Sequence, residues 1–185
     1  MILVTGGAGF IGGNFVLDWL SNQSAEGIVN LDKLTYAGNL ATLKSLENDA
    51  RHVFVQGDIG DYELVLSLLK KYQVRAVVNF AAESHVDRSI QYPDEFVLDN
   101  VVGTLNILNY ARKCSRLERF IYFSTDEVFG SAPAGIEFKE YDRYNAGNPY
   151  SASKAAGEEL CTAFHNTYDL PIYVTHTMNV FGERQ

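Results

Sequence analysis

Met1-Ile-Leu-Val-Thr-Gly-Gly-Ala-Gly-Phe-Ile-Gly12 is the stretch whose reading decides the fold. Ile2 to Thr5 are of β-type apolar character, the glycines that follow suit a tight turn, and an amphipathic segment begins near Phe10. The order is strand, turn, helix. Gly6, Gly9 and Gly12 fall three residues apart, with Gly7 beside the first. The first glycines let the backbone turn sharply, Gly9 lets it approach a pyrophosphate, and Gly12 lets the helix lie close to the strand. Free N–H groups and the positive dipole end of the helix then face the phosphates. Glycines also cluster in ordinary turns, but their position between strand and helix points to a dinucleotide-binding turn.

Working outward, apolar runs suited to buried parallel strands alternate with segments of helical period. The expected strands are Ile2 to Thr5, Ile28 to Leu31, Val53 to Val55, Ala76 to Phe80, Phe120 to Ser124 and Ile172 to Thr175. Helices are expected at Phe10 to Ser21, Tyr62 to Lys71, Asp94 to Cys114 after Pro93, and Tyr150 to Tyr168. This is the pattern of an α/β domain with a Rossmann-like, doubly wound parallel sheet, spanning residues 1–185 without an internal linker or repeat. The loop from Gly130 to Pro149, rich in Gly, Pro, Asn and charge, is long enough to read as functional. The chain stops soon after a strand, so it is expected to be the N-terminal part of a longer protein whose smaller substrate domain lies beyond it.

Its 185 residues, 46% hydrophobic and 12% aromatic, suffice for a sizeable core. A formal net charge of -8 argues against nonspecific affinity for nucleic acid or anionic membrane. An anionic ligand must then be held by local dipoles and a few basic side chains. Cys114 and Cys161 are too few for a disulfide framework and lack metal-ligand spacing, so no metal is expected. No apolar run approaches the roughly 20 residues of a membrane span. The N-terminus opens on a core strand rather than a basic and apolar leader, and a cytoplasmic setting is expected.

Chemistry is expected where strands end. Asp32 ends the second strand about 20 residues past the glycine turn, placed to accept hydrogen bonds from a ribose and to repel a 2′-phosphate, which favours NAD over NADP. Asp58, at the end of the third strand, is a candidate adenine contact. Ala81-Ala-Glu-Ser-His-Val-Asp87 leaves the fourth strand: small alanines admit a cofactor closely, and Ser84 and His85 are candidates for the pocket wall. Ser124-Thr-Asp-Glu127 opens at the carboxyl end of the fifth strand, where ligands bind in such sheets. Thr125 can share a hydrogen bond with a substrate hydroxyl. Asp126 and Glu127 offer an acid and a base if their surroundings separate their pKa values.

Tyr150-Ser-Ala-Ser-Lys154 puts phenol and ammonium on one face of a helix. Free tyrosine, with a pKa of about 10, is a poor base near neutrality. The Lys154 ammonium and a cationic nicotinamide would favour the phenolate, and a shift of ~3 units corresponds to about 4 kcal/mol.

Taken together, Thr-Gly-Gly-x-Gly-Phe-Ile-Gly at the start, Leu34-Thr-Tyr-Ala-Gly-Asn-Leu40, Ala82-Glu-Ser-His-Val-Asp-Arg-Ser89, Ser124-Thr-Asp-Glu-Val128 and Tyr150-Ser-Ala-Ser-Lys154 resemble the extended short-chain dehydrogenase/reductases. More narrowly, they are similar to the sugar-nucleotide 4,6-dehydratases of that family, and the resemblance runs the length of the chain. It implies NAD as a tightly held cofactor, a nucleoside-diphosphate glucose as substrate and a homodimer. Tyr150 would be the base for oxidation, assisted by Lys154 and Thr125, with Asp126 the acid and Glu127 the base of elimination. Gly7, Gly9, Phe10, Ile11, Gly12, Asp32, Lys33, Thr35, Asp58, Ile59, Ala82, Ser84, Tyr150 and Lys154 would line the NAD site. Ser84, His85, Thr125 and Asn179 would meet the substrate. Phe129 and His176 depart from the pattern, standing where Tyr and Arg are common. Two alternatives stay open: a sugar-nucleotide 4-epimerase, whose relatives carry small or neutral residues at the positions of Asp126 and Glu127, and a nucleotide-binding module without catalysis. For the dimer, the residues themselves add a reason. Val97, Leu98, Val101, Val102, Leu105, Ile107 and Leu108 cover more of one helix than a single sheet-facing stripe needs.

Overall fold

A computed structural model describes residues 1–22 and 26–185. Six parallel strands, β1 (Ile2–Thr5), β2 (Ile28–Asp32), β3 (His52–Gln56), β4 (Ala76–Asn79), β5 (Arg119–Thr125) and β6 (Ile172–Thr177), form one sheet in the order β3-β2-β1-β4-β5-β6. The direction in which successive strands are added reverses between β1 and β4, the crevice where open α/β sheets bind ligands at the carboxyl ends of their strands. Helix α1 (Phe10–Asn22) follows β1 and α2 (Tyr62–Lys71) follows β3. Every expected strand is present, most of them a residue or two longer than expected at one or both ends; the fourth closes at Asn79, one residue short of Phe80.

Each face of the sheet buries its own apolar layer. Leu3, Val29, Leu31, Val77 and Phe120 face α2 and the later helices, whereas Ile2, Val4, Ile28 and Val78 lie against Val16 and Leu20 of α1. Burial of a strand on both sides is why these runs are apolar throughout rather than alternating.

The connection after β4 differs most from expectation. Instead of one uniform helix from Asp94 to Cys114, the chain forms α3 (Val86–Gln91), α4 (Pro93–Phe96), a π-helical stretch Val97–Val102, and α5 (Gly103–Ala111). The wider turn accompanies the buried Asn100, whose amide accepts from Glu83 N at 2.8 Å and donates to Glu83 O at 2.8 Å and Ser153 Oγ at 2.9 Å. Pro93 opens α4, as its lack of an N–H favours.

Beyond β5 the chain makes one 3-10 turn, Asp126–Phe129, and then runs without regular structure until α6 (Pro149–Tyr168). Asn148 caps α6 by accepting from Ser151 N at 2.8 Å, and Ser151 reciprocates in a capping box. No helix among the described residues is long and apolar enough to cross a membrane.

Candidate active site

The turn after β1 is shaped by its glycines. Gly6 sits at φ 71, a conformation that side chains oppose. A Cβ on Gly12 would run into the carbonyl oxygen of Gly6, so the first turn of α1 can lie against the loop only without one. Asp32 then ties the loop to β2: its carboxylate accepts from Ala8 N at 2.8 Å and from Leu34 N at 2.8 Å. Thr5 and Asn79, hydrogen-bonded at 2.5 Å, join β1 to β4 beneath the crevice.

Above that floor opens a cleft of about 300 Å³. Gly9, Phe10, Ile11 and Gly12, the first residues of α1 and the turn before it, form one wall, and Asp32, Lys33, Thr35, Asp58 and Ile59 form another. Ala82, Ser84, Tyr150 and Lys154 complete the expected set. Gly7 does not line the cleft: its Cα backs onto the Asn30 side chain, and its contribution is to let the loop settle on β2. Lys33 bridges Asp58 at 2.8 Å and Asp99 at 3.5 Å, so the cation stays beside the nucleotide wall. The helix N-terminus for phosphate, the carboxylate at the end of β2 for a ribose and the small residues after β4 make a donor set that suits a dinucleotide.

Several lining residues were not among those expected at the site. Gly38, Gly57, Phe80, Glu83, Asp99 and Thr177 reach the cleft from separate loops and strand ends. Asp99 in particular sits on the π-helical turn. Only its tertiary contact with Lys33 marks it.

Toward the β5 side the cleft meets the titratable groups. Thr125 caps the 3-10 turn by accepting from Glu127 N at 3.2 Å, which places Asp126 and Glu127 directly at the strand end. Glu127 Oε2 accepts from the Asn148 amide at 3.1 Å, linking that carboxylate to the N-terminus of the helix that carries Tyr150. Burial pushes the Tyr150 phenol above its usual range, the hydrogen bond it shares with Thr125 pulls it down, and the carboxylates of Glu127 and Asp126 push it up again.

Lys154 is arranged otherwise than expected. Its ammonium donates to the Phe123 carbonyl at 2.5 Å and lies 4.4 Å from the centre of the Tyr122 ring. Burial lowers its pKa to about 8, against an opposing pull from Glu158. In this arrangement Lys154 is not what sets the Tyr150 pKa, and the phenol moves up rather than down. The physical reason is the Phe123 carbonyl near the end of β5, which gives the buried ammonium a hydrogen-bond acceptor.

His85 and Asn179 are exposed and stand outside the cleft lining. His85 is the N-cap residue of α3, but its side chain makes no capping hydrogen bond. Thr125, Asp126 and Glu127 flank the lining at its β5 edge through Ser124, which is part of it.

Fold, strand order and glycine turn define a dinucleotide-binding protein of the Rossmann type. The sequence model of the GDP-mannose 4,6 dehydratase family matches residues 3–185, and the chain belongs to that family. It is 54% identical over 188 residues to the dTDP-glucose 4,6-dehydratase of Xanthomonas campestris pv. campestris strain B100, covering 97% of this chain and 53% of that protein. The chain thus spans about half the length of the curated relatives it matches. Among solved structures, dTDP-glucose 4,6-dehydratase DesIV of Streptomyces venezuelae, with NAD bound, superposes with a TM-score of 0.95 at 42% identity, over 100% of this chain and 57% of that one. A UDP-glucose 4-epimerase of Thermus thermophilus in complex with NAD is more distant, with a TM-score of 0.88 at 30% identity, over 100% of this chain and 57% of that one.

Proposed function

We propose that this chain is the NAD-binding domain, residues 1–185, of a longer sugar-nucleotide 4,6-dehydratase that converts dTDP-glucose to its 4-keto-6-deoxy derivative. The observation that carries the reading is the Asp126-Glu127 pair. Both carboxylates stand at the end of β5, close enough to the Tyr150 hydroxyl to oppose its ionisation. A 4-epimerase needs a base for the C4 hydroxyl but no such pair. Similarity to dTDP-glucose 4,6-dehydratases exceeds that to 4-epimerases, which agrees with this choice.

The chemistry that bound NAD would supply is that of a hydride acceptor for C4 and then a hydride donor to C6. The residues of this chain do the rest. Of the residues that line the cleft, Gly9 to Gly12 would hold the pyrophosphate, Asp32 would accept from a ribose, Lys33, Thr35, Asp58 and Ile59 would hold the adenosine end, and Ala82 and Ser84 would close the opposite wall. Tyr150 would take the C4 hydroxyl proton, with Thr125 sharing its hydrogen bond, while Lys154, held on the Phe123 carbonyl, would add positive charge to the cleft rather than act on the phenol directly. The resulting ketone acidifies C5–H. Glu127 removes that proton while Asp126 protonates the C6 hydroxyl, which departs as water.

Two features of assembly and location belong to the same reading. Val97, Leu98 and Val102 are exposed along the helix after β4, and Ile90 and Tyr92 extend that apolar face. A second copy would bury it in a homodimer. Both free cysteines suit a reducing cytoplasm.

Incubating the full-length protein with nucleoside-diphosphate glucoses tests the function directly. A 4-keto-6-deoxy product from dTDP-glucose is expected, and substrate deuterated at C4 should carry its label to C6 of the same molecule. A C4 epimer, or binding without turnover, would overturn the reading.

A further inference from the structure

One helical turn beyond Lys154 stands Glu158, a carboxylate only 1% exposed. Its partners come from three separate parts of the chain. Ser124, near the end of β5, donates its hydroxyl to Oε1. Tyr144, in the long loop before α6, donates to Oε2 at 2.6 Å. His176, on β6, places Nε2 2.8 Å from the same oxygen. Phe129 covers this cluster, its ring centre 4.9 Å from His176 and 5.6 Å from Tyr144. A carboxylate loses much solvation when buried, and only converging donors offset that cost.

Each donor is next to something that faces the cleft. Ser124 lines it and precedes Thr125. His176 precedes Thr177, which also lines it and whose hydroxyl donates to the Ser124 carbonyl at 2.8 Å. Tyr144 lies four residues before Asn148, the residue that caps α6 and holds Glu127. The two residues that depart from the dehydratase pattern, Phe129 and His176, thus meet at one place. His176 bonds Glu158 directly, and Phe129 lies against His176 and Tyr144.

We propose that Glu158 is a positioning residue: its carboxylate is the common acceptor that fastens the end of β5, the loop before α6 and the end of β6 to the helix carrying Tyr150 and Lys154, and its charge faces Lys154 from one turn away. The proposal rests on the function given above. It assigns Glu158 no contact with substrate or cofactor.

The groups facing Glu158 are Lys154 and Cys161 from α6, Tyr122 from β5, Tyr144 from the loop and His176 from β6. Of these, Lys154 is the one that the charge acts on to raise a cation's pKa against burial. Removing the charge lets Lys154 lose its proton at a lower pH.

The test is Glu158→Gln in the full-length protein, with NAD occupancy measured on the purified enzyme and kcat and KM followed against pH. Expected are a kcat up to roughly a hundredfold lower, a KM for dTDP-glucose changed little, and an alkaline limb displaced downward by roughly one pH unit. Ser124→Ala, which removes a donor but keeps the charge, should lower kcat and leave that limb in place. A fully NAD-loaded Glu158→Gln enzyme with wild-type kcat and limb would overturn the proposal. If Glu158→Gln does not load NAD, Ser124→Ala decides alone: undiminished kcat overturns the proposal and diminished kcat supports it. Wild-type protein that binds NAD yet turns over no sugar nucleotide would overturn the function, and the proposal with it.

Discussion

Tyr150 and Lys154 share one face of α6, but their polar ends go to different partners: the phenol to Thr125, and the ammonium to the Phe123 carbonyl at 2.5 Å. The lysine therefore answers to burial first, which brings it to about 8, while the tyrosine is pushed the other way. A lysine whose folded pKa lies below its unfolded value of about 10.4 destabilises the fold while charged. That penalty is fully present below pH 8 and is relieved as pH rises toward the unfolded value.

Stability should accordingly show a positive component between pH 8 and 9 that Lys154→Met lacks. Above pH 9 the buried Cys161 thiol, pushed up to about 12, contributes the opposite sign, because the unfolded chain ionises first. Urea melts of both proteins across this range check the slope difference. Parallel curves for wild type and variant would refute it.

Glu127→Gln should stop elimination yet permit oxidation, with reduced nicotinamide and 4-keto sugar building up. A kcat loss of about a hundred- to ten-thousandfold is expected for a displaced general base. Tyr150→Phe should suppress the nicotinamide signal as well. Stopped-flow absorbance on the two variants separates the steps.

Asn148 has two tasks, capping α6 and holding Glu127. Asn148→Ala loses both and should cost about 1 kcal/mol of stability along with activity. Asn148→Ser restores a capping hydroxyl but is too short to reach Glu127. It should regain most of the stability while staying slow, a result read from denaturant melts and kcat together.

Asp32 holds Ala8 N and Leu34 N and faces the cleft. Asp32→Ser should weaken NAD binding roughly tenfold, by about 1.4 kcal/mol, and narrow the preference for NAD over NADP, since the repelling carboxylate is gone. Titrating both cofactors against the apo protein checks it.

Leu98, 60% exposed at the centre of the apolar helix face, should not tolerate a charge if a second copy covers it. Leu98→Glu is expected to sediment as a monomer at micromolar concentration with NAD still bound. Wild-type protein that is already monomeric would remove the dimer.

Local and periodic features were legible in the chain alone. The turn from Gly6 to Gly12, the buried apolar strands and the Tyr150-Ser-Ala-Ser-Lys154 spacing each depend on residues a few positions apart, so backbone sterics and helical geometry suffice to read them. The dinucleotide cleft followed, because strand order in a doubly wound sheet brings those strand ends together. What tertiary structure alone decided were partners far apart in sequence: Lys33 with Asp99, Asn100 with Glu83 and Ser153, and Glu158 with Ser124, Tyr144 and His176. It also decided where the Lys154 ammonium points. A polar side chain taken out of water binds whichever donor or acceptor the fold brings nearest, and that neighbour is set by packing rather than by spacing.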